Sequence, residues 1–223
     1  HISIKSNQMQ KTNLKWVVAQ KLEYLWWIRY LKKKNPTEYL IKKIGYWKKM
    51  LGAIEDVVVI QPGAAVLDAG CGPAGIFIAL NNHKVEAIDP LLDKYINLPV
   101  FKPANFGWTH FRNIPIEALD DKEKYDIVFC LNAINHVNDI NICCKNLVDS
   151  LKPNGFLVMS TDAHRYPLLK KIFQLLPGDM LHPIQLDINE YADFLEKNQM
   201  KLVKKILFKR ESIFDYYILI AQK

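Results

Sequence analysis

The amino-acid sequence predicts an α/β fold built on a mostly parallel, doubly wound sheet. Short apolar runs alternate with helix-like segments, which is typical of parallel strands joined by helices. The four runs are 64–70, 84–90, 124–133 and 155–161. Two further strand-like runs, 201–210 and 214–223, lie a few residues apart. Their spacing indicates an antiparallel hairpin at the C-terminal end of the sheet.

Two helices precede the first strand. Leucine and valine recur at helical spacing along 14–34, and the segment ends at Asn35-Pro36 because a residue before proline avoids the helical region. Pro36 then begins a second helix that ends near Gly52. The first fifty residues hold twelve lysines and arginines, only two acids and four of the five tryptophans. We therefore expect an N-terminal basic-aromatic helical cap (1–52) followed by the main domain (53–223).

Composition excludes several classes of protein. None of the four cysteines has C-x-x-C spacing, so we expect neither a zinc site nor a disulfide framework, and no metal. No run of about 18 apolar residues predicts a membrane-spanning helix, and the N-terminal segment lacks a signal-peptide core. A cytoplasmic protein is the simplest expectation.

The strongest local signal is the glycine-rich segment 68–75, DAGCGPAG, directly after the first strand. Its glycines allow a tight turn and a close approach of a ligand to the backbone, and their G-x-G-x-x-G spacing also fits a dinucleotide. Asp68 would repel a pyrophosphate, whereas it would attract a sulfonium or an ammonium group. Asp89 ends the next strand, where a carboxylate can accept hydrogen bonds from ribose hydroxyls.

With these features the chain resembles the class I S-adenosylmethionine-dependent methyltransferases that act on small molecules and lipids. The matching segments are 66–75, 85–90, 116–139 and 151–160, in family order, with the closing strand pair. The resemblance covers roughly residues 60–223. It implies a Rossmann-like sheet of seven strands, S-adenosyl-L-methionine as the cofactor, and a small-molecule or lipid-like methyl acceptor.

The resemblance also assigns the cofactor-binding residues. They are Asp68, Ala69, Gly70, Cys71, Gly72, Asp89, Pro90, Ile116, Glu117, Leu131 and Asn132. Asp68 and the glycines would face the methionine part, Asp89 would bind the ribose, and Pro90 would border the adenine. The family often has an acid just before the position of Ile116, and this sequence has none, so we expect Ile116 to act through its backbone.

Candidates for catalysis and acceptor binding follow from the same resemblance. His136 lies after the fourth strand, where the family faces the transferring methyl group, and is the candidate general base. The candidates for the lid or the acceptor pocket are Tyr46, Trp47, His164, Arg165 and His182. A purely structural role stays open for each of these residues, since loops and caps explain the same residue types.

Two interpretations stay open for the basic-aromatic helices at 14–50. They cap the cofactor cleft, or they lie on an anionic membrane and admit a lipid acceptor. No recognised nucleic-acid module accompanies them, and the sequence does not indicate an oligomeric state. Two other functions stay open for the whole chain: an NAD-dependent oxidoreductase, and a non-catalytic adenosyl-binding or membrane-adaptor protein.

Overall fold

A computed structural model describes residues 14–164, 188–210 and 214–223. Its centre is a seven-stranded sheet in the order β3-β2-β1-β4-β5-β7-β6. The strands are β1 Val66–Ala69, β2 Val85–Ile88, β3 Thr109–Arg112, β4 Tyr125–Leu131, β5 Leu151–His164, β6 Lys201–Arg210 and β7 Phe214–Gln222. Strand β7 runs antiparallel to both of its neighbours, and the other pairings are parallel. The predicted Rossmann-like sheet with a C-terminal antiparallel hairpin is confirmed.

Alternate side chains of the strands enter two apolar layers, one on each face of the sheet. In β4, Ile127 and Phe129 belong to one layer, whereas Val128 and Cys130 belong to the other. This division follows from the two-residue repeat of a strand. Central strands buried on both faces need the near-continuous apolar sequences from which they were predicted.

The two predicted N-terminal helices are present as α1, Leu14–Leu31, and α2, Pro36–Ile54. The side chain of Asn35 caps α2, because its Oδ1 accepts from the N–H groups of Thr37 and Glu38 at 3.0 and 3.2 Å. Helix α2 extends two residues beyond the predicted end near Gly52. Its buried side chains Met50 and Ile54 enter one layer of the core, so packing carries the helix past the glycine.

The described residues also form the helices α3, Leu92–Tyr95, α4, Ile140–Ser150, and α5, Ile188–Lys197. Helices α4 and α5 cover the face of the sheet opposite to α2. Between β1 and β2 the chain forms two 3₁₀ turns, Gly72–Ala74 and Ile76–Ala79, rather than a full crossover helix. In the described part of the chain, no helix has the length and apolarity needed to cross a membrane.

Candidate active site

A cavity of about 400 Å³ lies at the carboxyl ends of β1, β2 and β4, beneath α1 and α2. Ligands of open α/β sheets bind at this edge, where the strand order reverses. Here the reversal lies between β1 and β4, which are neighbours in the sheet although they are not consecutive in the chain. The topology therefore places the glycine-rich turn and both predicted aspartates around one cavity.

Each glycine of the turn is required for a different reason. Gly70 and Gly72 have φ angles of +72° and +55°, which L side chains rarely adopt. A Cβ on Gly70 would also overlap the Cβ of Ala133. A Cβ on Gly75 would overlap Oδ2 of Asp68. The turn is fixed to the neighbouring strand because the N–H groups of Gly70 and Cys71 both donate to the carbonyl of Ile88, at 2.8 and 3.0 Å.

Asp68 lies in the floor of the cavity and is almost completely buried. Its Oδ2 accepts from the backbone N–H of Phe77 at 3.0 Å, so the carboxylate also fixes the chain after the glycine turn. Burial, with a smaller contribution from the charge of Asp89, raises the pKa of Asp68 to about 7. A cationic ligand in the cavity would favour the ionised form of this carboxyl group.

Asp89 is held by two backbone donors. Its Oδ2 accepts from the N–H of Gly72 at 3.0 Å, and its Oδ1 accepts from the N–H of Leu91 at 2.9 Å. The carboxyl group is buried and lines the cavity. Burial and the neighbouring charge of Glu23 raise the pKa of Asp89 to about 7. Each oxygen keeps a lone pair for another donor, such as a ribose hydroxyl.

Helix α1 closes the cavity with one of its faces. Five residues of α1 line the cavity: Trp16, Gln20, Glu23 and Trp27, which follow one another at helical spacing, and Trp26. Trp16 Nε1 donates to the carbonyl of His136 at 3.1 Å, and the hydroxyl of Tyr95 donates to Glu23 Oε1 at 3.2 Å. Gln20 and Glu23 are not among the site residues predicted from the sequence. The available signal was their spacing from the two tryptophans, together with the position of Glu23 as the one acid in 14–31.

Helix α2 contributes a second wall. Trp47, a predicted lid residue, is buried, lines the cavity, and donates from Nε1 to the carbonyl of Ala74 at 3.0 Å. Lys43 also lines the cavity, and burial lowers the pKa of its ammonium group. Tyr46, predicted beside Trp47, packs against the rings of Trp47 and Phe208 instead and is not part of the cavity wall.

The chain after β4 forms another wall, in which three of the candidate site residues, Leu131, Asn132 and His136, line the cavity. Polar contacts fix this wall to the sheet. The N–H of Asn132 donates to Ser160 Oγ at 3.2 Å. Oδ1 of buried Asn135 accepts from the hydroxyls of Thr161, at 2.9 Å, and of Tyr191. The segment that carries His136 is therefore held from two sides.

Ile116 and Glu117 lie in a short 3₁₀ turn and line the cavity. The carbonyl of Ile116, expected to act on the cofactor through the backbone, accepts from Asn146 Nδ2 at 3.1 Å. This carbonyl is therefore already paired within the protein. Oε1 of Glu117 accepts from the N–H groups of Asn138 and Asp139, at 2.6 and 3.1 Å, so Glu117 also fixes the chain that follows His136.

The remaining predicted residues fall into four groups. Cys71 and Pro90 line the cavity, whereas Ala69 is buried in the apolar layer on the other side of β1, because successive strand residues face opposite ways. The backbone of His164 ends β5, where it pairs with Phe214. Arg165 and His182 lie outside the described residues.

The donor and acceptor balance of the cavity fits an adenosyl sulfonium cofactor. The acceptor side chains Asp68, Asp89 and Glu23 meet there, and S-adenosylmethionine offers ribose hydroxyls, an adenine amino group, an ammonium and a sulfonium. Oε1 of buried Gln20 has no hydrogen-bond partner among the described residues. The cavity wall therefore holds an acceptor that can bind a donor of a ligand. A pyrophosphate would meet these carboxylates at a cost, which argues against a dinucleotide.

Comparisons with known proteins agree with this arrangement. A family model described as a methyltransferase domain matches residues 43–201. The ubiquinone biosynthesis O-methyltransferase of Rickettsia akari is 30% identical over 191 residues, covering 81% of this chain and 72% of that protein. The protein of the same name from Rickettsia prowazekii is 31% identical over 150 residues, covering 64% of this chain and 56% of that protein.

A solved structure shares the fold at low identity. It is the 1,6-didemethyltoxoflavin-N1-methyltransferase of Burkholderia thailandensis, with bound 1,6-didemethyltoxoflavin and S-adenosylhomocysteine. The two chains superpose with a TM-score of 0.63 at 16% identity, over 94% of this chain and 89% of that one. At this identity the likeness shows the architecture of the sheet, and the acceptor has to be argued from the residues of this chain.

Proposed function

The chain belongs to the class I S-adenosylmethionine-dependent methyltransferases, and we propose that its acceptor is the hydroxyl oxygen of a lipid-like aromatic compound. The observation that carries the proposal is the position of His136 in the wall of the cavity that the tryptophans of the N-terminal helices also line. An oxygen acceptor has to lose its proton during attack, and a histidine is the side chain best suited to take it near neutral pH.

S-adenosylmethionine supplies an activated methyl group when it is bound. The work left to the protein is to bind, align and exclude water. Asp89 and Asp68 provide fixed acceptors in the floor of the cavity, each held by a backbone N–H. Trp16, Trp27 and Trp47 cover the cavity with indole rings, which removes water from the place of reaction. His136 takes the proton of the acceptor hydroxyl.

The choice of oxygen has separate support. The curated relatives are named for O-methylation in ubiquinone biosynthesis, and ubiquinone carries methoxy groups on a ring with a long apolar tail. The wall beside His136 includes Trp16, Leu131 and Val137, an apolar surface suited to such a ring. The neighbour of known structure is named for transfer to nitrogen, so amine acceptors are the competing class.

A transfer assay with isotopically labelled S-adenosylmethionine tests this proposal. Catechols with and without a prenyl chain are compared with aromatic amines of the same size. We expect methyl transfer to the catechols, and His136→Gln should lower kcat by about 10²–10⁴-fold with little change in cofactor affinity. Transfer to amines alone would overturn the choice of oxygen, and full activity of His136→Gln would remove the general base.

The outer face of α1 supports a second part of the proposal. Leu14, Leu25 and Ile28 are 76%, 47% and 40% exposed, and exposed Lys21 and Arg29 lie among them. These residues repeat at helical spacing on the side of α1 opposite to the cavity. An apolar strip flanked by cations suits a surface of anionic lipid. We therefore propose that the enzyme, expected in the cytoplasm, binds peripherally to an anionic membrane through this face of α1.

Co-sedimentation with vesicles tests the membrane contact. The protein should pellet with vesicles of phosphatidylglycerol and phosphatidylcholine, and less with phosphatidylcholine alone. Leu25→Glu should reduce pelleting, whereas the same change at exposed Val203 on the edge strand β6 serves as the matched control and should not. Equal pelleting of both variants and of the unchanged protein would refute a docking role for α1.

A further inference from the structure

The inner face of α1 carries two polar side chains where a helix that only covers a cavity would be apolar. Gln20 and Glu23 lie between Trp16 and Trp27 in the cavity wall. The rings on either side exclude water, so each polar group needs a partner within the site. A bound ligand can supply that partner.

Glu23 lies close enough to Asp89 for the two charges to interact, and both line the cavity. Two carboxylates in one poorly hydrated cleft repel each other. The hydroxyl of Tyr95 donates to Glu23 Oε1, and backbone N–H groups donate to Asp89. These donors hold the two carboxylates in place, and the carboxylate oxygens keep lone pairs for further donors. A ligand with two adjacent hydroxyls would supply one donor to each carboxylate.

Gln20 gives an independent observation. Gln20 is only 8% exposed, and its Oε1 accepts no hydrogen bond from the residues that the structure describes. It lies one helical turn before Glu23, on the same face of α1. An unpaired acceptor at this depth is costly unless a ligand donates to it.

We propose that α1 is part of the cofactor site: Glu23 and Asp89 together bind the ribose diol of the cofactor, and Gln20 accepts from a further donor of the same molecule. The inference rests on the proposed use of S-adenosylmethionine. It adds a binding element to the β-strand ends and to the glycine turn. The cap is then a ligand-binding helix, and the cofactor holds it in its closed position.

Binding measurements on the whole chain test this inference without any methyl acceptor. Isothermal titration with S-adenosylhomocysteine gives the affinity, and quenching of the cavity tryptophans gives a second readout. Glu23→Ala should weaken binding about 10- to 100-fold, and the isosteric Glu23→Gln should lose less. Gln20→Met should weaken binding about 2- to 10-fold. Glu38→Gln, at an exposed glutamate of α2, is the matched control and should bind normally.

Analogues of S-adenosylhomocysteine that lack the 2′- or the 3′-hydroxyl distinguish a direct contact between Glu23 and the ribose from a purely structural role of Glu23. If Glu23 binds the diol, Glu23→Gln should lose less affinity for one of these analogues than for the complete ligand. Equal losses for all three ligands, or affinities of both Glu23 variants within twofold of the unchanged protein, would overturn the inference. If Glu23→Ala does not unfold cooperatively, it is not properly folded, and the comparison then uses Glu23→Gln alone. Failure of the unchanged protein to bind S-adenosylhomocysteine would instead overturn the cofactor assignment itself.

Discussion

Replacement of Gly70 by alanine should be among the most damaging single-methyl changes in the glycine turn. Two separate costs combine at this position. The φ angle of +72° lies in the left-handed region, where an L residue costs about 1–2 kcal/mol. The new methyl group would also overlap the Cβ of Ala133, and overpacking of a buried site costs about 1–3 kcal/mol.

The sum, about 2–5 kcal/mol, is a large part of the 5–15 kcal/mol by which a domain is ordinarily stable. Gly72 provides the contrast. Its φ angle of +55° carries the same conformational cost, but the nearest atom to its added Cβ is in the ring of Trp27, at 4.0 Å. Gly72→Ala should therefore lose only about 1–2 kcal/mol.

Equilibrium unfolding in urea, followed by tryptophan fluorescence and circular dichroism, measures both variants. Ala133→Gly in the Gly70→Ala background removes the overlap and should recover part of the loss, leaving a value near that of Gly72→Ala. If Gly70→Ala costs no more than Gly72→Ala, the overlap does not determine stability at this turn. If Ala133→Gly brings no recovery, the assignment of the second cost to Ala133 is wrong.

Three further predictions concern the cavity walls. Asp68 and Asp89 have a pKa of about 7 in the folded protein against an ordinary 3.8, so the folded state binds more protons than the unfolded state above the ordinary range. The free energy of unfolding of the ligand-free protein should therefore fall as pH rises from about 5 to 7, an interval above the range in which ion-paired carboxyl groups such as Asp121 and Asp126 act in the opposite sense; urea titrations showing a rise over this interval would contradict it. Asn135→Ala removes the shared acceptor of two hydroxyls and should cost about 1–3 kcal/mol, with a lower kcat because the segment carrying His136 loosens; an unchanged melting temperature would refute it. Trp47→Phe keeps a ring but loses the buried hydrogen bond to the glycine turn, and should cost about 1–2 kcal/mol in a urea titration, whereas an equal stability would show that the bond contributes nothing.

Much of the sheet follows from local sequence because its signals are local. The four residues of β1 are buried, and their apolar sequence up to Gly70 is sufficient to predict a central strand. The helix boundary at Asn35-Pro36 follows from the restriction that proline places on its neighbour. The hairpin formed by β6 and β7 follows from the short connection, but the insertion of β7 between β5 and β6 does not. That order depends on pairing between distant strands, which no local pattern records.

In the candidate site too, some residues are predictable from local sequence and others are placed by the packing of distant segments. Asp68 and Asp89 are predictable because each ends a strand, and parallel strand ends meet at one edge of the sheet. Glu23 is not predictable from such a rule, since its place in the cavity depends on how α1 packs across the sheet. Tyr46, a candidate for the lid or the acceptor pocket, lies outside the cavity wall. Its neighbour Trp47 lines the cavity, but adjacent helix residues diverge by about 100°, so Tyr46 packs on Phe208 instead.

Helix α1 connects the two halves of the proposed function. Its inner face carries Glu23 and Gln20 to the cavity, and its outer face carries exposed Leu25 and Ile28. We propose that a ligand on either face stabilises the same position of this helix. By thermodynamic linkage, the factor by which an anionic membrane raises the affinity for S-adenosylhomocysteine must equal the factor by which the ligand raises the affinity for the membrane. Titrations of each ligand in the presence of the other measure both factors, and two factors of one would show that α1 does not join the sites.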